Sequence, residues 1–269
     1  MTDSDSVHRN GSKMPRTITY AVSTTNSLTG APGRSGNGTF DVTLPTSWAA
    51  GQFALLVVYT DIGTIANGTS SWNAVTGSPF GTNTPKLYLW WKFLEVGEVA
   101  PTMTVAGHVA TESAVGAIIT YTGVDGSAPI SKIGAATSST GTPMTAGEVT
   151  TDWASEMLLG IAGRGDNDAS SAETFGGSGT GVTERVEAGT SLGDDALITI
   201  YDKTQAAAGA TGAGSVTSAV TDPWVSLIVT LKPEQENLGT FLSGATWPPD
   251  AGILNPSLDA SFDHDSRMF

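Results

Sequence analysis

The sequence contains no cysteine in 269 residues, which removes disulfides and thiolate metal ligands as sources of stability or chemistry. Charge is scarce too: charged residues make up 14% of the chain, and Lys plus Arg number 12 against 26 acids. The resulting net charge of −14 argues against nucleic acid as the main partner, because binding phosphate needs a basic surface. No apolar run is long enough to span a membrane, so no membrane partner is expected. The opening stretch MTDSDSVHRNGSKMPR has no apolar segment of the secretory type, and a protein made without such a signal is expected.

Gly, at 33 residues, is abundant, alongside Thr, Ser, Ala and Val. That balance suits many short strands joined by turns, and the usual helix formers are sparse. From residue 18 to 233 the chain is a series of β-rich runs, including QFALLVVYT (52–60), KLYLWWKFLE (86–95), AVGAIITYTGV (114–124), EMLLGIAG (156–163), ALITIYDKT (196–204) and PWVSLIVTLKP (223–233). Turn residues such as Asn-Gly-Thr, Asp-Gly-Ser and Gly-Asp-Asp separate them, as in a sandwich or barrel. FALLVVY and EMLLGIA are almost continuously apolar. Both are short, and they read as inner strands.

A weak repeat divides this region in two. Val115, Ala117, Ile119 and Tyr121 overlay Val225, Leu227, Val229 and Leu231 at a spacing of 110, and Leu87–Lys92 overlays Leu197–Asp202 at the same spacing. The apolar runs before them, Phe53–Thr60 and Glu156–Gly163, are offset by about 103. Matching alternate positions imply matching buried faces. The expected fold is all-β: a two-sheet antiparallel sandwich, jelly-roll-like, of two weakly similar halves. The boundaries read as an N-terminal arm over 1–16, a sandwich over 17–233 and an extended C-terminal arm over 234–269.

Several phrases carry a resemblance. AAGQFALLVVYTD resembles the A-x-G-D-L-L-L-A strand opening of a family of phage-borne β-sandwich domains. LYLWWKFLEVGE is similar to that family's aromatic strand and acidic turn, and GVTERVEAG to its G-W-T-E-R segment. DKTQAAAGATGA and PWVSLIVTLKP resemble its last two strands. The match covers roughly residues 18 to 233. It departs at Val182, where the family often has Trp; Trp72 holds the equivalent place in the first half. The resemblance implies a jelly-roll-like domain of virion proteins, in capsid decoration, tails and fibres, and brings no catalytic residues.

The residues themselves supply little chemistry. His8, His108 and His264 are far apart in sequence and form no HxH or HExxH spacing. FGGSGTG (175–181) lacks the Lys-Ser/Thr of a phosphate loop and reads as a hairpin turn. Asp194-Asp195, Asp61 and Asp125 stand at strand ends as ordinary turn residues, so no glycosidase pair is evident. Arg164-Gly165-Asp166 spells an integrin tripeptide, and Asp166 and Asp168 offer oxygens for Ca²⁺, although a polar loop explains both. Asn37-Gly-Thr and Asn67-Gly-Thr fit a glycosylation pattern and read as turns. Neither a catalytic residue nor a cofactor or metal site is assigned, and the chain is not expected to be an enzyme.

Two groups suit interactions. On alternation, Trp91 and Phe93 share the core face of Leu87 and Leu89, which leaves Tyr88 and Trp90 on the other side. An outward Tyr and Trp suit a sugar or a neighbouring subunit; the competing reading buries both faces under loops. The second group lies after Pro233, in a stretch with no helical or strand period. There Phe241, Trp247, Ile253, Leu254 and Phe262, stiffened by Pro248 and Pro249, are more apolar than a solvated tail requires. Fully extended, 36 residues reach about 120 Å.

The leading expectation is a capsid decoration or cement protein on the outer surface of a phage head. It would stabilise the head by clamping neighbouring subunits with its arms. Its partners would be copies of itself, with a trimer favoured, and the major capsid protein. A tail or fibre adaptor that recognises host glycan is the alternative, and a carbohydrate-binding module the second.

Overall fold

The computed structural model describes residues 13–24, 33–69, 71–81, 85–166 and 168–237, and every regular element among them is a β-strand. The first half supplies β1 (Lys13–Pro15), β2 (Thr19–Ser23), β3 (Gly33–Ser35), β4 (Gly38–Asp41), β5 (Phe53–Thr60), β6 (Thr64–Asn67), β7 (Asn73–Ala74), β8 (Lys86–Phe93), β9 (Thr102–Ala106) and β10 (Ser113–Thr122). The second supplies β11 (Ile130–Ile133), β12 (Thr137–Thr140), β13 (Met144–Ala146), β14 (Thr150–Thr151), β15 (Glu156–Arg164), β16 (Ser170–Phe175), β17 (Thr183–Thr190), β18 (Ala196–Gln205), β19 (Gly209–Ala210), β20 (Gly214–Ser218), β21 (Pro223–Leu231) and β22 (Gln235–Asn237).

Each half builds the same pair of sheets. The first half orders a large sheet β2-β10-β5-β8-β7 and a small one β4-β9-β6. The second repeats this order as β11-β21-β15-β18-β17 and β13-β20-β16. The last long strand of each half thus returns between the first and third of the same sheet, the Greek-key crossing of a jelly-roll. The all-β, jelly-roll-like sandwich of two similar halves is therefore present, with one refinement. Each half is a jelly-roll in its own right, and the central sandwich is made of their two large sheets.

The side-chain periodicity explains this layering. Phe53, Leu55, Val57 and Tyr59 of β5 point into a central core with Met157, Leu159 and Ile161 of β15 and Val225, Leu227 and Val229 of β21. The intervening Ala54, Leu56 and Val58 point the other way, onto Val42, Ile65, Met103 and Val105 around the small sheet. Leu158 and Ala162 do the same in the second half, with Met144, Ala146 and Val216. A strand covered on both faces has no solvent side to mark with polar residues, which is why FALLVVY and EMLLGIA read as unbroken apolar runs.

The ladders also fix the register of the repeat. Val115 to Tyr121 and Val225 to Leu231 correspond at 110, and both sets enter the central core. Through β10 and β21, however, Val57 corresponds to Ile161, an offset of 104. Leu89 then corresponds to Ile200, an offset of 111. The spacing of 110 that the sequence suggests for this strand pair is one residue short, and a slip of one would turn each core side chain to the opposite face.

The body that packs as one unit runs from Met14 to Glu236. Strands β1 and β22 pair with each other, and just inside them the Arg16 N–H donates to Glu234 O at 2.7 Å. The Arg16 guanidinium also meets the Glu234 carboxylate at 3.0 Å. The body thus extends a few residues beyond both ends of the expected sandwich. Residues 1–12 and 238–269 lie outside the described residues.

Candidate functional site

The residues singled out in the C-terminal stretch, Phe241, Trp247, Pro248, Pro249, Ile253, Leu254 and Phe262, lie outside the described residues, as do His8 and His264. Tyr88 and Trp90 are inside the protein. They stack at 5.8 Å between the large and small sheets of the first half and are only 5% and 8% exposed. The faces follow the alternation, but the small sheet covers the one that would otherwise open to solvent. The outward reading of these rings is therefore corrected: they are core. Trp72 is core on the same side, and Val182 packs at the corresponding place in the second half.

The integrin tripeptide is likewise not displayed. Arg164 is 2% exposed; its Nε lies 2.9 Å from Asp166 Oδ1, and its Nη1 donates to Ser170 Oγ. Asp166 also caps its own turn by accepting from the Asp168 N–H at 2.7 Å. His108 is buried against Thr60 Oγ1 at 2.5 Å, and burial lowers its proton affinity.

The structure instead assembles a polar site where the two jelly-rolls meet. Tyr59 ends the core face of β5, and Asp61, two residues on, continues it past the strand end. The equivalent positions of the second half are Gly163 and Gly165. A Cβ on Gly163 would lie 2.3 Å from Tyr59 Cδ2, and one on Gly165 would lie 3.1 Å from Asp61 Oδ1. The large residues of one half therefore occupy space that glycine leaves in the other. Tyr59 Oη reaches across to donate to Pro223 O at 3.3 Å, while Asp61 Oδ2 accepts from the Ser113 N–H at 3.0 Å.

Around these two lies a pocket of about 270 Å³ lined by Tyr59, Asp61, Glu112, Gly165, Asp194 and Asp222, among others. Burial pushes the Asp61 carboxyl up to about 7, and the Glu112 and Asp194 charges add to the shift. The Ser113 N–H, with the nearby Tyr59 hydroxyl, acts against it without cancelling it. Burial, with Asp61 next, also raises the Tyr59 phenol well above its ordinary value. Asp61 therefore exchanges a proton near neutrality inside an acidic cleft. Among the described residues no three His, Asp or Glu side chains stand close enough to hold a metal ion.

A second acidic group lies on the outer side of the second half. Glu184 is raised to about 7 by burial, then by the nearby Glu187 and Glu173, the latter within hydrogen-bonding reach. Sequence reasoning missed both groups. Asp61 looked like a turn residue, and its partners come from loops distant in the chain. The available signal was the pairing of Tyr59 and Asp61 with two glycines, which is visible only in the 104-residue register.

No family model, curated protein or solved structure matches this chain.

Proposed function

We propose that this protein is a structural component of a phage virion, a decoration protein whose double jelly-roll body is held to the head by its terminal segments. The observation that carries this reading is the pairing of β1 with β22. Because of it, the two ends of the described residues lie side by side. Two chain ends that start side by side can grip the same neighbour, and the longer one contains the Trp247, Ile253 and Leu254 anchors. Supporting it further are the phage-domain resemblance over 18–233 and a body whose long strands are covered on both faces. The partners under this reading are the major capsid protein and further copies of the chain in a symmetric oligomer.

The glycan-binding alternative drew on outward aromatics such as Trp90 and on loops such as 163–168, and the burial of Tyr88 and Trp90 takes away the first of these. The test is to quantify the chain in purified particles and repeat the measurement with residues 238–269 deleted. The reading expects hundreds of copies per particle for the full chain and loss of attachment for a truncated protein that still folds. Recovery of a dozen copies or fewer, or unchanged attachment after truncation, would overturn it.

A further inference from the structure

We propose that the acidic end of the seam between the two jelly-rolls is a proton-controlled latch, closed when Asp61 is neutral and loosened when it is ionised. This concerns the body itself and does not depend on the virion reading.

Three hydrogen bonds cross the seam at this end. Tyr59 Oη donates to Pro223 O at 3.3 Å, the Asp194 N–H donates to Thr111 O at 2.5 Å, and Ser113 Oγ donates to Leu192 O. Asp61 sits among them and accepts from the backbone N–H of Ser113, the residue whose hydroxyl makes the third bond. On the first half its charged neighbour is Glu112, and His108 on the same loop has its proton affinity lowered by burial. From the second half Asp194 and Asp222 line the same pocket. Asp166, whose charge also reaches Tyr59, is already engaged by Arg164 at 2.9 Å. Lys86 follows the lining residue Pro85 but falls on the Tyr88 and Trp90 face of β8, away from the seam.

Neutral Asp61 keeps the bond from the Ser113 N–H and adds no charge to this cleft. An ionised Asp61 places a negative charge in a partly dry cleft that faces carboxylates from both halves, and separating the halves at this end relieves the repulsion. The opposite end of the seam has a different chemistry. There Tyr121 of the first half donates to Asp202 of the second at 3.0 Å, and Arg185 neutralises that carboxylate at 2.9 Å. Ionising Asp61 therefore opens one end about a fixed other end.

The test is amide hydrogen exchange on the full chain at pH 5.5 and 8.5, corrected for intrinsic rates. Protection at Asp194, whose N–H crosses the seam to Thr111 O, should fall at least about tenfold at the higher pH, while that of Glu234, bonded to Gly123 O, stays constant. Asp61→Asn should hold Asp194 protected at both pH values. If that variant fails to fold, Asp194→Asn with Asp222→Asn removes only partly exposed charges and should shift the loss of protection to higher pH. Equal protection at the two pH values overturns the latch. So does a uniform loss that includes Glu234, or a pH response that survives in Asp61→Asn.

Discussion

Tyr59 is packed onto Gly163, its own counterpart in the repeat: a Cβ there would lie 2.3 Å from Tyr59 Cδ2 and 2.9 Å from Cγ. Gly163 is fixed between β18 and β21, opposite Ile198 and Val225, so its backbone cannot retreat. Gly163→Ala should therefore destabilise the protein by about 1–3 kcal/mol through overpacking. In a Tyr59→Ala background the same change should cost almost nothing, and a double-mutant cycle by urea denaturation measures the difference.

Glu156 opens β15 with no solvent exposure and four hydrogen-bond donors. Its Oε1 accepts from Ser131 Oγ and from the N–H groups of Asp152 and Trp153, each at 3.0 Å, and its Oε2 accepts from Thr230 Oγ1 at 2.5 Å. One carboxylate thereby ties β11, the β14–β15 turn and β21 together. Glu156→Ala leaves all four donors without an acceptor and should cost about 3–5 kcal/mol. Glu156→Gln retains one acceptor oxygen and should cost less than half as much. Chemical denaturation of the two variants distinguishes a polar hub from simple space filling.

The legible part of the fold was what repeats at a period of two. The apolar runs around Val57 and Ile161, and the 110-residue spacing of Val115 and Val225, identify the central strands and the face each turns to the core. The outer sheets were less visible, because β4, β6 and β16 are short and carry few core side chains. Tyr88 and Trp90 show the consequence: alternation gave their side correctly, but not the small sheet that lies over it. Asp61 was harder still. Its proton affinity is raised by burial and then by Glu112 and Asp194, which reach it from two separate loops, and no local spacing records that meeting.

Tyr121 and Asp202 join the halves where the repeat has Leu231 and Trp91 instead. Asp202 is 2% exposed; it accepts from Tyr121 Oη at 3.0 Å and pairs with Arg185 Nε at 2.9 Å. Arg185 also lies over the Tyr20 ring at 4.4 Å. Tyr121→Phe should cost about 1–2 kcal/mol by removing one hydrogen bond to a buried carboxylate. Asp202→Leu should cost more, because it strands both the phenol and the guanidinium. Added salt should change the Tyr121→Phe penalty little, since the phenol and the carboxylate it meets are both buried. Thermal melts of both variants at low and high salt check this.

The pH dependence of global stability should run opposite to that of a protein held together by ionised carboxylates. Asp61 rises from 3.8 to about 7 on folding, and Glu184 from 4.5 to about 7, both chiefly through burial. Between about pH 4 and 7 the folded state therefore holds more protons than the unfolded chain, and stability falls as pH rises through that window. Above about pH 7 both groups are ionised in either state, and the loss levels off. Asp61 alone accounts for roughly 2–4 kcal/mol of the fall, because each tenfold change in proton affinity is worth about 1.4 kcal/mol. Asp125 works the other way. Burial would raise it, but hydrogen bonds from Lys232, Ser127 and Ala128 prevail and hold it well below its ordinary value, so its contribution is lost only in stronger acid. Stability should therefore be greatest on the acid side of neutrality. Urea midpoints at pH 4.5, 6 and 8 should decline in that order, Asp61→Asn should reduce the decline, and Asp61→Asn with Glu184→Gln should reduce it further, leaving the share of Asp166 and Asp202, which burial also raises.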